Sequence, residues 1–147
     1  MTTASPQQQL KKLANPKKAI GVARFFKTGK GEYGEGDVFL GITVPQIRIV
    51  AKQCKDLSLK EIQKLLQSKI HEERLLALII LVNQFKKADE DKQKQIFDLY
   101  LSNTKYINNW DLVDASAEYI IGGYLINRSK TILKKFVTMF VTKNQNL

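Results

Sequence analysis

The chain has 147 residues, with 24 Lys and Arg against 14 Asp and Glu and a formal net charge of +10. That length suits one domain, residues 1–147, able to bury about 70% of its unfolded surface. Its longest uninterrupted apolar run, LLALIILV at residues 75–82, is far short of the ~20 residues that cross a bilayer, which excludes a transmembrane helix. A lone Cys54 excludes an internal disulfide. The opening MTTASPQQQLKK has no apolar stretch behind a basic start, so a reducing, cytoplasmic setting is expected.

The charge is uneven: residues 1–36 carry seven basic and two acidic side chains, and residues 128–147 carry five basic and none acidic. Such a surplus gains affinity for polyanions by displacing their counterions. It also keeps a surface soluble, and composition alone leaves both readings open.

Local signals then place the elements in chain order. Asn15 before Pro16 supplies an N-cap and a first-turn proline, predicting a helix over residues 16–26. A longer loop is expected at about residues 27–42, after which Thr43 or Val44 before Pro45 opens a helix through Ile47, Ile49, Val50 and Ala51. Ser58 and Glu61 have capping-box spacing, and the helix behind them should run to about residue 68. Residues 72–87 begin with acids and end with lysines, an order that complements the helix dipole, and the apolar middle predicts a buried helix. Ile96, Phe97, Tyr100 and Leu101 recur at helical spacing within residues 89–103. Further helices are expected over residues 110–126, weakened at Gly122-Gly123, and over residues 130–141. Strand signals are nearly absent. The pattern predicts an all-α fold, an α–α superhelix of antiparallel helix pairs whose concave face suits a rod-like duplex. No strict repeat is visible, so a compact irregular bundle is the alternative.

The stretch GKGEYG at residues 29–34 fits G-x-G-x-x-G. A dinucleotide fingerprint works after a strand and at a helix start, whereas these glycines follow a helix ending near Phe26, so they read as loop geometry. No Walker sequence occurs. The single His71 removes paired-histidine metal sites and reads as a helix-start residue. A Cys54–His71 nucleophile pair is weaker than Cys54 as a small buried residue of an amphipathic helix. The richest stretch is NNWDLVD at residues 108–114. If Asn108 or Asn109 caps the helix, Trp110 and Asp114 fall four apart on one face, a carboxylate beside the only tryptophan, suited to a cationic or flat group. Acids in a first turn and a core tryptophan are the bland alternative.

Three runs, ARFFKTGKGEYGEGDVFLGITVPQIR at residues 23–48, ERLLAL at 73–78 and NWDLVD at 109–114, occur in the order that resembles the AlkD-like DNA alkylation repair enzymes. The likeness extends over about residues 10–137. It implies HEAT-like helical repeats and hydrolysis of the N-glycosidic bond of cationic N3- and N7-alkylated purines in double-stranded DNA, with no cofactor or metal. By that resemblance Asp114 is the catalytic carboxylate and Trp110 packs against the damaged nucleotide. Asp111 caps or orients the helix, and Lys27, Lys30 and Arg48 are candidates to touch the DNA backbone. Members of the family continue further and add an arginine and a second aromatic from later helices. The chain is therefore expected to be an N-terminal portion, truncated at its C-terminus. The rival from another class is a non-catalytic helical scaffold binding nucleic acid or protein through its groove.

Overall fold

A computed structural model describes residues 4–26, 36–126 and 137–138. Among them the secondary structure is helical apart from one isolated bridge, Val38 with Ile70. The helices are α1 (Pro6–Lys12), α2 (Pro16–Phe25), α3 (Val44–Gln53), α4 (Leu59–Leu66), α5 (His71–Lys87), α6 (Glu90–Ser102), α7 (Trp110–Ala117) and α8 (Gly123–Leu125). A wide turn over Glu118–Gly122, with bonds reaching one residue further than in an α-helix, joins α7 to α8 without a break. The weak point expected at Gly122-Gly123 is thus a widened helix that carries on. The helix expected over residues 130–141 lies outside the described residues except at 137–138.

The starts follow the cap chemistry. Asn15 Oδ1 accepts from Lys18 N at 3.2 Å. Thr43, not Val44, caps α3, its hydroxyl and the Gln46 amide satisfying each other's backbone N–H. Ser58 accepts from Glu61 N at 3.2 Å, but the reciprocal half of the box is missing: Glu61 takes the Ser58 hydroxyl instead. Helix α4 ends at Leu66, two residues short of the expectation. Helix α1 was not anticipated, although Ser5, Pro6 and Gln8 form a complete capping box with proline in the first turn.

Helix α5 organises the rest. Every residue from His71 through Val82 is buried, so no face of this segment is left to solvent. Helices α3 and α4 pack along it, α7 packs on another side, and α6 returns against it. Consecutive helices that touch and are joined by two to four residues, as α4–α5 and α5–α6 are, must run antiparallel. The result is an all-α helical-repeat fold. Its buried apolar cluster runs from Leu10 in α1 to Leu125 in α8. Full burial of each leucine or isoleucine contributes about 1.5–3 kcal/mol, so α5, with six such residues between positions 75 and 82 besides Ala77 and Val82, is the chief source of cohesion.

The segment at residues 36–43 is tied to α5 from above. Val38 N donates to Lys69 O at 3.1 Å, and His71 N donates to Val38 O at 2.8 Å. The buried Glu72 carboxylate accepts three successive backbone N–H groups, from Leu40 at 3.0 Å, Gly41 at 2.9 Å and Ile42 at 3.3 Å. An acid at a helix start thus serves here as the anchor of a loop. Gly41 takes φ +80° and lies so close to α2 that a Cβ on it would sit 2.1 Å from Asn15 O.

Candidate functional site

Helix α7 begins at a crowded junction. Its N-cap residue, Asn109, makes no capping hydrogen bond, which would leave the first turn poorly held if nothing else intervened. What intervenes is tertiary. Asn109 Nδ2 donates to Asp37 Oδ2 at 2.7 Å and lies 3.3 Å from His71 Nδ1. Asn108 Oδ1 accepts from Arg74 Nη1 at 2.9 Å. Asp111 Oδ2 is 2.5 Å from His71 Nε2. Residues 108, 109 and 111 are therefore each tied inward.

The partners of those ties come from α5 and the loop before α3. His71 and Arg74, three residues apart, share one face of the first turn of α5. Arg74 Nη2 donates to Asp37 Oδ2 at 2.7 Å, and the two side chains are only 4% and 6% exposed. The His71 ring lies against Phe39, centroids 4.7 Å apart, and Phe26, 5.2 Å apart. Burial works against a charge on His71, but hydrogen bonding to Asp111 and then to Asp37 carries its pKa above the ordinary value. Burial likewise works against the Asp37 carboxylate, and His71, Arg74 and Asn109 together bring its pKa below the usual level. Sequence reasoning missed this cluster. The spacing of His71 and Arg74 on one helical face was the one local sign of it.

The residues on the other side of the α7 turn point out. Trp110 is 61% exposed, so the core reading of the only tryptophan does not hold. Asp114 is exposed as well, and at 100° per residue the two lie about 40° apart around the helix. The two acids of the stretch are in different settings, Asp111 engaged at its base and Asp114 open to solvent. Arg48, on the exposed face of α3, lines a groove with Ile79, Val82, Asn83 and Lys86 of α5 and with Ala115 and Tyr119. Lys86 Nζ sits 4.8 Å over the Tyr119 ring. The groove reaches Ala115, the neighbour of Asp114, while Trp110 and Asp114 are not part of its lining. Lys27 and Lys30, with the glycines of GKGEYG, lie outside the described residues.

The Cys54–His71 pair does not form. Cys54 closes α3 with Gln9 Nε2 3.7 Å from its sulfur, and burial pushes its thiol pKa up, whereas His71 is engaged by Asp111. Among the described residues no group of three His, Cys, Asp or Glu could hold a metal ion, and no helix is long and apolar enough to cross a membrane.

Helices stacked in antiparallel pairs, with no strand among the described residues, define an α-helical repeat protein. The chain belongs to the DNA alkylation repair enzyme family, whose sequence model matches residues 6–142. Membership sets its role in DNA repair. Comparison with curated proteins and with solved structures gave no match.

Proposed function

We propose that this protein is a cytoplasmic, monofunctional DNA glycosylase that hydrolyses the N-glycosidic bond of cationic N3- and N7-alkylated purines in duplex DNA. The observation that supports this most is the exposed pair Trp110 and Asp114 on one face of α7. An aromatic face attracts a cationic base, and a carboxylate one turn away faces the sugar. Alkylation has already placed a positive charge on the purine. When the bond between C1′ and the ring nitrogen breaks, its electron pair neutralises that charge, so the base leaves without needing a proton. The sugar becomes oxocarbenium-like, and the Asp114 carboxylate stabilises it electrostatically. Water then adds to C1′ and gives up a proton, for which Asp114 is the acceptor. Arg48, Lys86, Lys27 and Lys30 would hold phosphates without reading sequence.

The test is release of N7-methylguanine from methylated duplex DNA at stated salt. Asp114→Asn should lower the single-turnover rate by about 10²-fold or more with duplex affinity retained, as for loss of one electrostatic contributor. Excision by Asp114→Asn at the wild-type rate would remove the carboxylate from the mechanism. No excision by the wild type would favour a scaffold that binds DNA through the same groove.

A further inference from the structure

We propose that His71 is a positioning residue of this site: through Asp111 it holds the first turn of α7 so that Trp110 and Asp114 face outward together. The inference rests on the glycosylase reading for its catalytic consequence, but its geometric content stands apart from it. Four observations carry it. First, α7 lacks the side-chain cap its own N-cap residue could have made: Asn109 Nδ2 donates to Asp37, and its Oδ1, the atom that would cap, accepts no hydrogen bond among the described residues, so tertiary contacts hold the first turn. Second, the residues flanking Trp110 on both sides are bound inward, Asn109 to Asp37 and Asp111 to His71, so the indole has only the outward direction left. Third, His71 is fixed on every side: its backbone N–H by Val38 O, its ring by Phe39 and Phe26, and its two nitrogens by Asp111 and by Asn109 with Asp37. A group so restrained transmits position to whatever it binds. Fourth, the contact separates the two acids of the stretch, engaging Asp111 and leaving Asp114 free to act.

The chemistry of the imidazole fits this role in both protonation states. Neutral, with its proton on Nε2, it donates to Asp111 while Nδ1 accepts from Asn109 Nδ2. Protonated, it still donates from Nε2 to Asp111, and Nδ1–H faces Asp37, whose carboxylate is 3.8 Å away. The bond to Asp111 is common to both states, which suits a fixed positioning element.

The experiment uses the full chain and two independent readouts. His71→Phe keeps the ring packing against Phe26 and Phe39 but removes the donor, His71→Gln restores an amide donor, and Asp111→Ala breaks the same bond from its more exposed end, where the side chain is 32% exposed. Time-resolved fluorescence anisotropy of Trp110, the only tryptophan, reports the motion of the α7 start with no need of substrate. Single-turnover N7-methylguanine release and affinity for undamaged duplex are measured beside it. His71→Phe and Asp111→Ala should each free the indole to move faster and lower the release rate about tenfold or more at unchanged duplex affinity, because an ångström of misplacement is costly at a reacting centre. His71→Gln should recover most of both. Wild-type anisotropy in both His71→Phe and Asp111→Ala would overturn the proposal, as would a Gln variant no better than Phe. If wild type releases no base, the glycosylase reading fails and the Trp110 anisotropy alone decides the positioning role.

Discussion

Replacing Asp37 by Asn removes one charge at the point where the loop, α5 and α7 meet and leaves the shape unchanged. Its carboxylate faces the Arg74 guanidinium at 2.7 Å, and both side chains are almost fully covered. Removing one member of a buried ion pair leaves the other charge uncompensated, at a cost of about 3–5 kcal/mol. The Asn oxygen can still accept from Arg74 or Asn109, which puts the expected loss near the bottom of that range, about 3 kcal/mol. For a chain of this size each kcal/mol moves Tm by about 2–4 °C, so the midpoint should fall by about 6–12 °C. Urea unfolding followed by circular dichroism at pH 7 gives the free energy, and a thermal scan gives the midpoint. Lys94→Ala is the control. Its i, i+4 partner Asp98 is 3.8 Å away and both side chains are more than half exposed, so its removal should leave the transition in place. If Asp37→Asn loses less than about 1 kcal/mol, solvent reaches Arg74 in the native state and the junction is not the tight element described.

Other outcomes follow from the same geometry. Gly41→Ala should cost about 3 kcal/mol, adding the penalty of φ +80° to a clash with Asn15 O and Ala19 N, whereas Gly36→Ala, at φ +86° with none of the described residues within reach of its Cβ, should cost only about 1 kcal/mol; equal losses in urea unfolding would refute the close approach. Trp110→Ala should leave Tm unchanged, since the indole is mostly exposed, yet weaken the preference for methylated over undamaged duplex in a competition assay; a Tm drop of several degrees would mean the indole is packed. Because the folded His71 pKa is raised, its contribution to stability is full below the ordinary value of 6.5 and lost as pH rises through the folded value. Wild-type Tm should therefore decline relative to His71→Gln on going from pH 6 to alkaline pH, and parallel profiles would refute it. The lowered pKa of Asp37 predicts the converse limb: its contribution holds above the ordinary 3.8 and disappears as pH falls through the folded value, so Asp37→Asn should flatten acid unfolding.

Most helices were legible because their starts are written locally. Asn15-Pro16, Thr43 with Pro45, and Ser58 each satisfy backbone donors within three residues, and the unbroken apolar middle of α5 announces its burial. Helix α1 carried the same kind of signal in Ser5, Pro6 and Gln8, but its seven residues hold one buried apolar side chain, Leu10, too little to show a period. The stretch at residues 108–114 stood out by composition alone. What composition could not convey is which acid is engaged and which is open, since Asp111 and Asp114 are equivalent as letters. Their difference comes from His71, 40 residues away. The mutual ties of Asp37, Arg74 and Asn109 escaped notice for the same reason, although Asn109 was read as a helix cap: no local pattern joins residues whose relation exists only after packing.

The bond between Asp37 and Asn109 spans 72 positions in the chain, and the one between Arg74 and Asp37 spans 37. Closing such loops costs entropy before their contacts repay it, so the junction is expected to assemble after the local helix pairs. Interactions that are absent from a folding transition state govern how fast a protein comes apart rather than how fast it forms. The cluster at the start of α7 would then also act as a clasp in time, setting the lifetime of the native state while leaving its rate of formation to α4, α5 and α6.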